Sequence, residues 1–225
     1  MSEILTAKEE ILSRIRTALP GLAQGIALSH ARISRHYDRI GKLDRTACLE
    51  LFIDRLVDYD TEIVQIESEA AIAPAITDIL HHANEERVIV PQEFPIAWMP
   101  AGLSIAIDSN LSTDEGFLSI DKIDHAQAVI TTCEAAIAST GTIILVHEGA
   151  QGRRALTLLP DHHICLVRRE QVFELVPEAL QAIATKGMQP ITTISGPSAT
   201  SDIEMTRIRG VHGPRRLTVI LYGPN

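Results

Sequence analysis

The chain has 225 residues, of which 45% are hydrophobic and 22% charged, and its 29 acidic against 20 basic side chains give a formal charge of −9. These proportions exclude a wholly disordered chain, and the acidic excess excludes a general nucleic-acid binder, which needs a broad basic face. Aromatic residues are only 4%, so the core must be built from Ile, Leu, Val and Ala, as in parallel sheets covered by helices.

Residues 7–19 read as a helix. Ile11, Leu12, Ile15, Ala18 and Leu19 share one face, Thr6 with Glu9 fits a capping box, and Pro20-Gly21 ends the segment. This stretch lacks the apolar centre of a signal peptide, and no apolar run approaches the roughly 20 residues of a membrane span, so the expected location is the cytoplasm. The polar stretch to Lys42 has no strong period and reads as an arm that packs on a partner.

A second helix is expected over Leu43–Val57, with Leu49, Phe52, Ile53 and Leu56 at helical spacing. "TEIVQIE" alternates as a strand does. Ala70–Ala83 reads as a helix with Pro74 in its first turn, where a missing N–H costs little. "RVIVP" and "LSIAID" read as strands, with "IAWMPAG" as a connector between them. "HAQAVITT" is an apolar strand, "EAAIA" a short helical turn, and "TIILV" and "HHICLVRR" further strands. A helix is expected over Glu170–Thr185, then the strand "PITTIS", a helix from about Ser201, and the closing strand "RLTVILYG". Helix–strand alternation of this kind predicts an α/β fold, a three-layer α/β/α sandwich on a mostly parallel sheet. The simplest division is an N-terminal helix and arm, 1–42, and an α/β domain, 43–225.

Chemistry concentrates in "ISGPSATSDIEMTRIRGVHGPRR". The expectation is that this segment gathers polar groups at the carboxyl end of a strand, where ligand crevices of open α/β sheets lie. Ser201 and Glu204 fit a capping box that starts a helix. Alternatively, the free amides after Gly196-Pro197-Ser198, with the hydroxyls of Ser195, Ser198 and Thr200, form an anion site, and Asp202 and Glu204 bind ligand hydroxyls or act as bases. His212, between two turns, is a candidate proton carrier beside Gly213 and Pro214. Arg207, Arg209, Arg215 and Arg216 are a local basic excess, able to grip a carboxylate or phosphate or to form ion pairs.

"HEGAQGRR" places Gln151, Gly152 and Arg153 after a buried strand, a glycine-permitted turn or a loose phosphate cradle. It matches neither nucleotide-binding glycine motif. Glu134, just past a strand end, is a candidate base or nucleophile, or a helix-terminal acid. Thr140-Gly141-Thr142 forms a second turn. The pairs His81-His82 and His162-His163 do not chelate a metal, because adjacent side chains point apart. Cys48, Cys133 and Cys165 are scattered thiols, expected to be reduced, with no C-x-x-C spacing. No cofactor or metal is expected on this chain.

The segments "EAAIASTGTIILV", "GRRALTLLP", "HHICLVRREQV" and "SGPSATSDIE…GVHGPRRLTVIL" together resemble the lactate-utilisation protein C family, or LUD domain, over roughly residues 104–223. The resemblance implies the fold of the ribose-phosphate isomerase, glucosamine-phosphate deaminase and CoA-transferase superfamily. It also implies a role in oxidising L-lactate to pyruvate beside iron–sulfur partner proteins, which would carry the clusters. Two positions depart from the family pattern: Ser139 replaces an acid and Ala199 an arginine. Three readings follow. The first is a subunit binding a small carboxylate or phosphate-bearing anion through the turns at 140–142, 151–153, 195–204 and 212–214, with Glu134, Glu204 or His212 as proton-transfer group. The second is an independent enzyme of the same fold, a CoA transferase, sugar-phosphate isomerase or folate cyclo-ligase. The third is a non-catalytic assembly protein.

Overall fold

The computed structural model describes residues 6–19, 36–109, 117–187, 189–200, 208–209 and 213–224. The chain divides into two compact units, 1–38 and 39–225. The first contains helix α1 (Ala7–Ala18), opened by the expected capping box: the Glu9 amide donates to Thr6 Oγ1 and the Glu9 carboxylate accepts from the Thr6 amide at 2.8 Å. Every residue of α1 is exposed, including Ile11 and Ile15. Most of the arm to Lys42 lies outside the described residues.

The second unit opens with α2 (Arg45–Asp58), whose N-cap Asp44 accepts from the Ala47 amide at 2.9 Å. There follow β1 (Glu62–Gln65), α3 (Ile72–Ala83), β2 (Arg87–Pro91), β3 (Ser104–Asp108), α4 (Ile120–Asp124) and β4 (Ala128–Thr132). After them come β5 (Ala135–Ile137), β6 (Thr142–Leu145), β7 (His162–Arg168), β8 (Val172–Phe173), α5 (Val176–Ile183) and β9 (Thr192–Ile194). The last elements are β10 (Ala199–Thr200), β11 (Ile208–Arg209) and β12 (Arg216–Tyr222).

A six-stranded parallel sheet, ordered β1-β12-β7-β4-β2-β3, is the centre of the fold. Its strands are short apolar runs because both faces are covered. Register sets the two faces. Val88, Val90, Ala128, Ile130, Ile164, Leu166 and Ile220 pack with Ile72, Ile76 and Leu80 of α3. Cys165, Val167, Leu217, Val219 and Leu221 pack with Phe52 and Leu56 of α2. On that second side Ile123 of α4 meets Ile89 and Val129. The central sheet is thus covered by helices on both faces, as the alternation predicts. Among the described residues no helix is long and apolar enough to cross a membrane.

Two elements differ from expectation. "EAAIA" is not a helical turn but strand β5, the core of a second, four-stranded sheet ordered β8-β5-β6-β9. Three residues make too little helix to sustain itself, and pairing on both sides overrides alanine's helical preference. Ala136 and Ile143 of this sheet face α2, while Ala135, Ile137 and Ile144 face Ala179 and Ile183 of α5. The helix expected over 170–185 is shorter. Arg169 is buried and binds the carbonyls of Ile66 at 2.8 Å and Gly223 at 2.5 Å, clamping the carboxyl ends of β1 and β12. The chain then forms β8, and α5 begins only at Val176, with Pro177 in the first turn where its missing N–H is harmless. The helix expected from Ser201, with Asp202, Glu204 and His212, lies outside the described residues.

Candidate functional site

At the carboxyl edge of the central sheet, Glu134 follows β4 and is mostly buried, its side chain 22% exposed. One of its oxygens accepts from Gln151 Nε2 at 2.9 Å and the other faces Lys186 Nζ at 3.2 Å. Gln151 is itself fixed, its Oε1 accepting from the Val146 amide at 2.7 Å. Lys186 also meets Glu148 at 2.9 Å, and Glu148 together with Glu134 holds its ammonium above the usual range. Glu134 is therefore a carboxylate with both oxygens engaged. Beside it Arg153 grips Asp108 at 2.8 and 3.0 Å and the Leu118 carbonyl at 2.6 Å, with Phe117 against its guanidinium. Arg153 is thus committed to the carboxyl end of β3.

A different group forms around the Gly-Pro-Ser bend. Thr142 Oγ1 lies 2.7 Å from Thr140 Oγ1 and 2.8 Å from Ser195 Oγ, joining the Thr-Gly turn to the bend. Both bends rest on the end of α2: a Cβ placed on Gly141 would stand 2.8 Å from Arg55 Cβ, and one on Gly196 would stand 2.6 Å from Tyr59 Cβ. The Ser198 amide donates to the Pro214 carbonyl at 2.8 Å, which brings in the 213–214 loop. Residues 192–199, Gly213 and Pro214 together with Arg154, Thr157, His163 and Leu217 enclose a cavity of about 240 Å³. His163 and Leu217 are the second residues of β7 and β12, so this cavity opens at the amino edge of the sheet.

The expected single mouth is therefore two sites. The bend sits at the amino edge and not at the carboxyl edge, because β9 pairs antiparallel with β6 in the small mixed sheet and delivers its end there. Gln151, Gly152 and Arg153 stay with Glu134 at the other edge. Arg154, one residue on, is the arginine on the cavity wall, and its Nη1 reaches Thr157 Oγ1 at 3.3 Å. Thr200 is described only in its backbone, paired with Ile208. Arg215 and Arg216 are taken by ion pairs, Arg215 with Asp161 and Arg216 with Glu62 and Glu85. No acidic side chain is among the described residues that line the cavity. In a chain of net charge −9, an arginine, an imidazole and several hydroxyls without a carboxylate make a place suited to an anion.

The sequence names His163 only as half of the pair His162-His163 and gives it no place in a ligand site. It is 1% exposed, and its Nε2 lies 2.8 Å from Thr131 Oγ1. Alternation along β7 sends His162 to the opposite face, where its Nδ1 meets Glu85 at 2.7 Å and its Nε2 meets Thr218 at 2.8 Å. The two rings of the pair thus point to opposite faces, each with its own partners. Under the cavity, Thr131 Oγ1 lies 3.9 Å from Cys165 Sγ. A bond from Cys133 draws the Cys165 thiol below its ordinary range against the effect of burial, and the same contact pushes Cys133 up. His147, bonded through Nδ1 to the Gly152 carbonyl and through Nε2 to Thr192 Oγ1, is pushed down by burial. Among the described residues no group of three His, Cys, Asp or Glu side chains is arranged to hold a metal.

The LUD domain model matches residues 49–222. A lactate utilization protein C from Deinococcus radiodurans is 42% identical, with 96% of each chain covered. One from Bacillus subtilis is 32% identical over 95% of each chain. The crystal structure of a DUF162 family protein from Deinococcus radiodurans superposes with a TM-score of 0.69 at 41% identity, covering 81% of this chain and all of that one. The match spans the central sheet, both bends and the cavity, and the chain belongs to the LUD domain family.

Proposed function

We propose that this chain is a lactate-utilisation subunit that binds a small carboxylate in the amino-edge cavity and works beside iron–sulfur partner proteins, which carry the electrons. The observation that carries this reading is the cavity itself: Arg154, His163 and the hydroxyls of a Gly-Pro-Ser bend, with no acid among its described lining residues. A cavity of about 240 Å³ suits a ligand of a few heavy atoms, and near-full-length relatives named lactate utilization protein C supply the metabolic setting. Arg154 is exposed, and its guanidinium contact among the described residues is a 3.3 Å one to Thr157, which it can exchange for a carboxylate at little cost.

Titration calorimetry with L-lactate tests this reading. Arg154→Ala is expected to weaken binding by roughly tenfold or more, the loss of one charge-assisted hydrogen bond, with the melting temperature unchanged. Equal affinity in both proteins removes the cavity from the reading. Co-purification with the iron–sulfur proteins, retained in Arg154→Ala, separates assembly from ligand binding.

A further inference from the structure

A half-buried imidazole, His147, stands behind the wall of the amino-edge cavity. It follows β6 in the left-handed region, φ +55°, which a residue with a side chain adopts only where its surroundings hold it. Two hydrogen bonds do so. Nδ1 lies 3.0 Å from the Gly152 carbonyl, and Nε2 lies 2.6 Å from Thr192 Oγ1. Thr192 lines the cavity, as does Arg154, whose charge bears on the His147 ring. These partners fix where the ring's proton sits. A carbonyl oxygen only accepts, so Nδ1 carries a proton in either charge state. Burial, and after it the Arg154 charge, hold the ring below the ordinary histidine range against the opposing effect of the Gly152 bond. Near neutral pH Nε2 is therefore a lone pair, and it takes the single proton of the Thr192 hydroxyl. A protonated ring reverses that bond: Nε2 donates, and Thr192 can turn its own proton to the cavity.

Resting on the reading of this cavity as an anion site, we propose that His147 is a positioning residue that couples anion binding to the uptake of a proton, its charged ring turning the Thr192 hydroxyl into a donor toward the anion. The charges around the ring agree with this. Glu148 is paired with Lys186 and Arg153 with Asp108, and β9 brings no charged side chain. Arg154 remains, and an anion seated on it cancels its repulsion of a second positive charge. His163, the cavity's other imidazole, is held by Thr131 and by Cys165. Linkage sets the sign. An anion that favours the charged ring binds more tightly as pH falls through the His147 value in the complex, and the gain levels off below its value in the free protein.

Titration calorimetry of the full-length chain with L-lactate, whose carboxylate stays ionised throughout, tests the coupling. Wild type is expected to bind about fivefold more tightly at about pH 6 than at about pH 8. Heats measured in buffers of different ionisation enthalpy are expected to show proton uptake on binding. His147→Asn tolerates the left-handed backbone and has nothing to titrate, and is expected to lose both the uptake and the pH dependence. Thr192→Val removes the relay and is expected to lose at least half of the pH dependence. Long-range proton–nitrogen NMR of wild type reads the ring directly. It is expected to show the proton on Nδ1 alone at about pH 8, and L-lactate at about pH 6 is expected to add one on Nε2.

Wild-type affinity independent of pH overturns the role of His147 and leaves the anion cavity standing. So does proton uptake that survives in His147→Asn, which moves the coupling to His163. Full pH dependence in Thr192→Val overturns the relay. Failure of wild type to bind L-lactate at either pH removes the cavity reading, and the role of His147 with it.

Discussion

Replacing Glu85 by alanine is expected to cost about 3 kcal/mol, the loss on stripping a buried hydrogen-bonding group of a carboxylate partner, and to lower the melting temperature by roughly 6–12 °C for a chain of this size. Glu85 is 8% exposed and follows α3, capped by Asn84 in the left-handed region. Its carboxylate accepts a hydrogen bond from Nδ1 of the fully buried His162 at 2.7 Å and meets Arg216 at 3.3 Å. Through His162 and Thr218 the chain of bonds continues to Glu62, 2.8 Å from Thr218 Oγ1. These contacts pin the amino ends of β1, β12 and β7 to the end of α3. Alanine strands a buried N–H and removes one of Arg216's two carboxylates. Glu85→Gln keeps an acceptor and is expected to lose well under half as much. Thermal denaturation of both variants checks the claim, and equal losses would show that packing, not the hydrogen bond, is what Glu85 supplies.

Much of the fold is legible in sequence because local and global preferences agree there. The alternation of short apolar runs with amphipathic helices dictates a buried parallel sheet, and capping residues such as Asp44 and Thr6 mark helix starts. Pro177 marks the true start of α5 as well, by the same rule that places Pro74 in the first turn of α3. The preceding residues carry helix-like periodicity and hide it. The small sheet was not legible. Its pairings join residues 135–137 to 172–173, and 143–145 to 192–194, so its strands are defined by partners distant in sequence. A three-residue Ala-Ala-Ile run has no period of its own.

The same distinction governs the sites. Glycines at Gly141 and Gly196 announce tight bends, and those bends do meet, through Thr142 and Ser195. Which arginine faces the cavity turns on a single residue. Arg153 meets Asp108 at the end of β3, and Arg154 points to the other edge. No spacing rule separates them. His163 was readable in part: strand alternation already separates it from His162. What the sequence could not supply is that one face holds a Glu85 and the other a cavity.

Gly196→Ala is expected to have the largest effect on the site. Gly196 has φ +84° and is buried, and an added Cβ would stand 2.6 Å from Tyr59 Cβ and 3.1 Å from the Tyr59 carbonyl oxygen. The left-handed conformation costs an L-residue about 1–2 kcal/mol, and forcing a methyl into packed backbone adds about 1–3 kcal/mol. Neither contact is the far end of a flexible chain, so the bend must move, and the bend is the cavity wall. L-Lactate affinity is expected to fall more than tenfold, together with a drop of roughly 4–20 °C in melting temperature. Gly187→Ala separates the two causes. Gly187 also has positive φ, +73°, but a Cβ there meets nothing within 4 Å. It meets the conformational cost alone, and is expected to lose about 1–3 kcal/mol and keep its affinity. If both variants lost stability equally and bound L-lactate alike, the close approach of the bend to Tyr59 would not be what shapes the cavity.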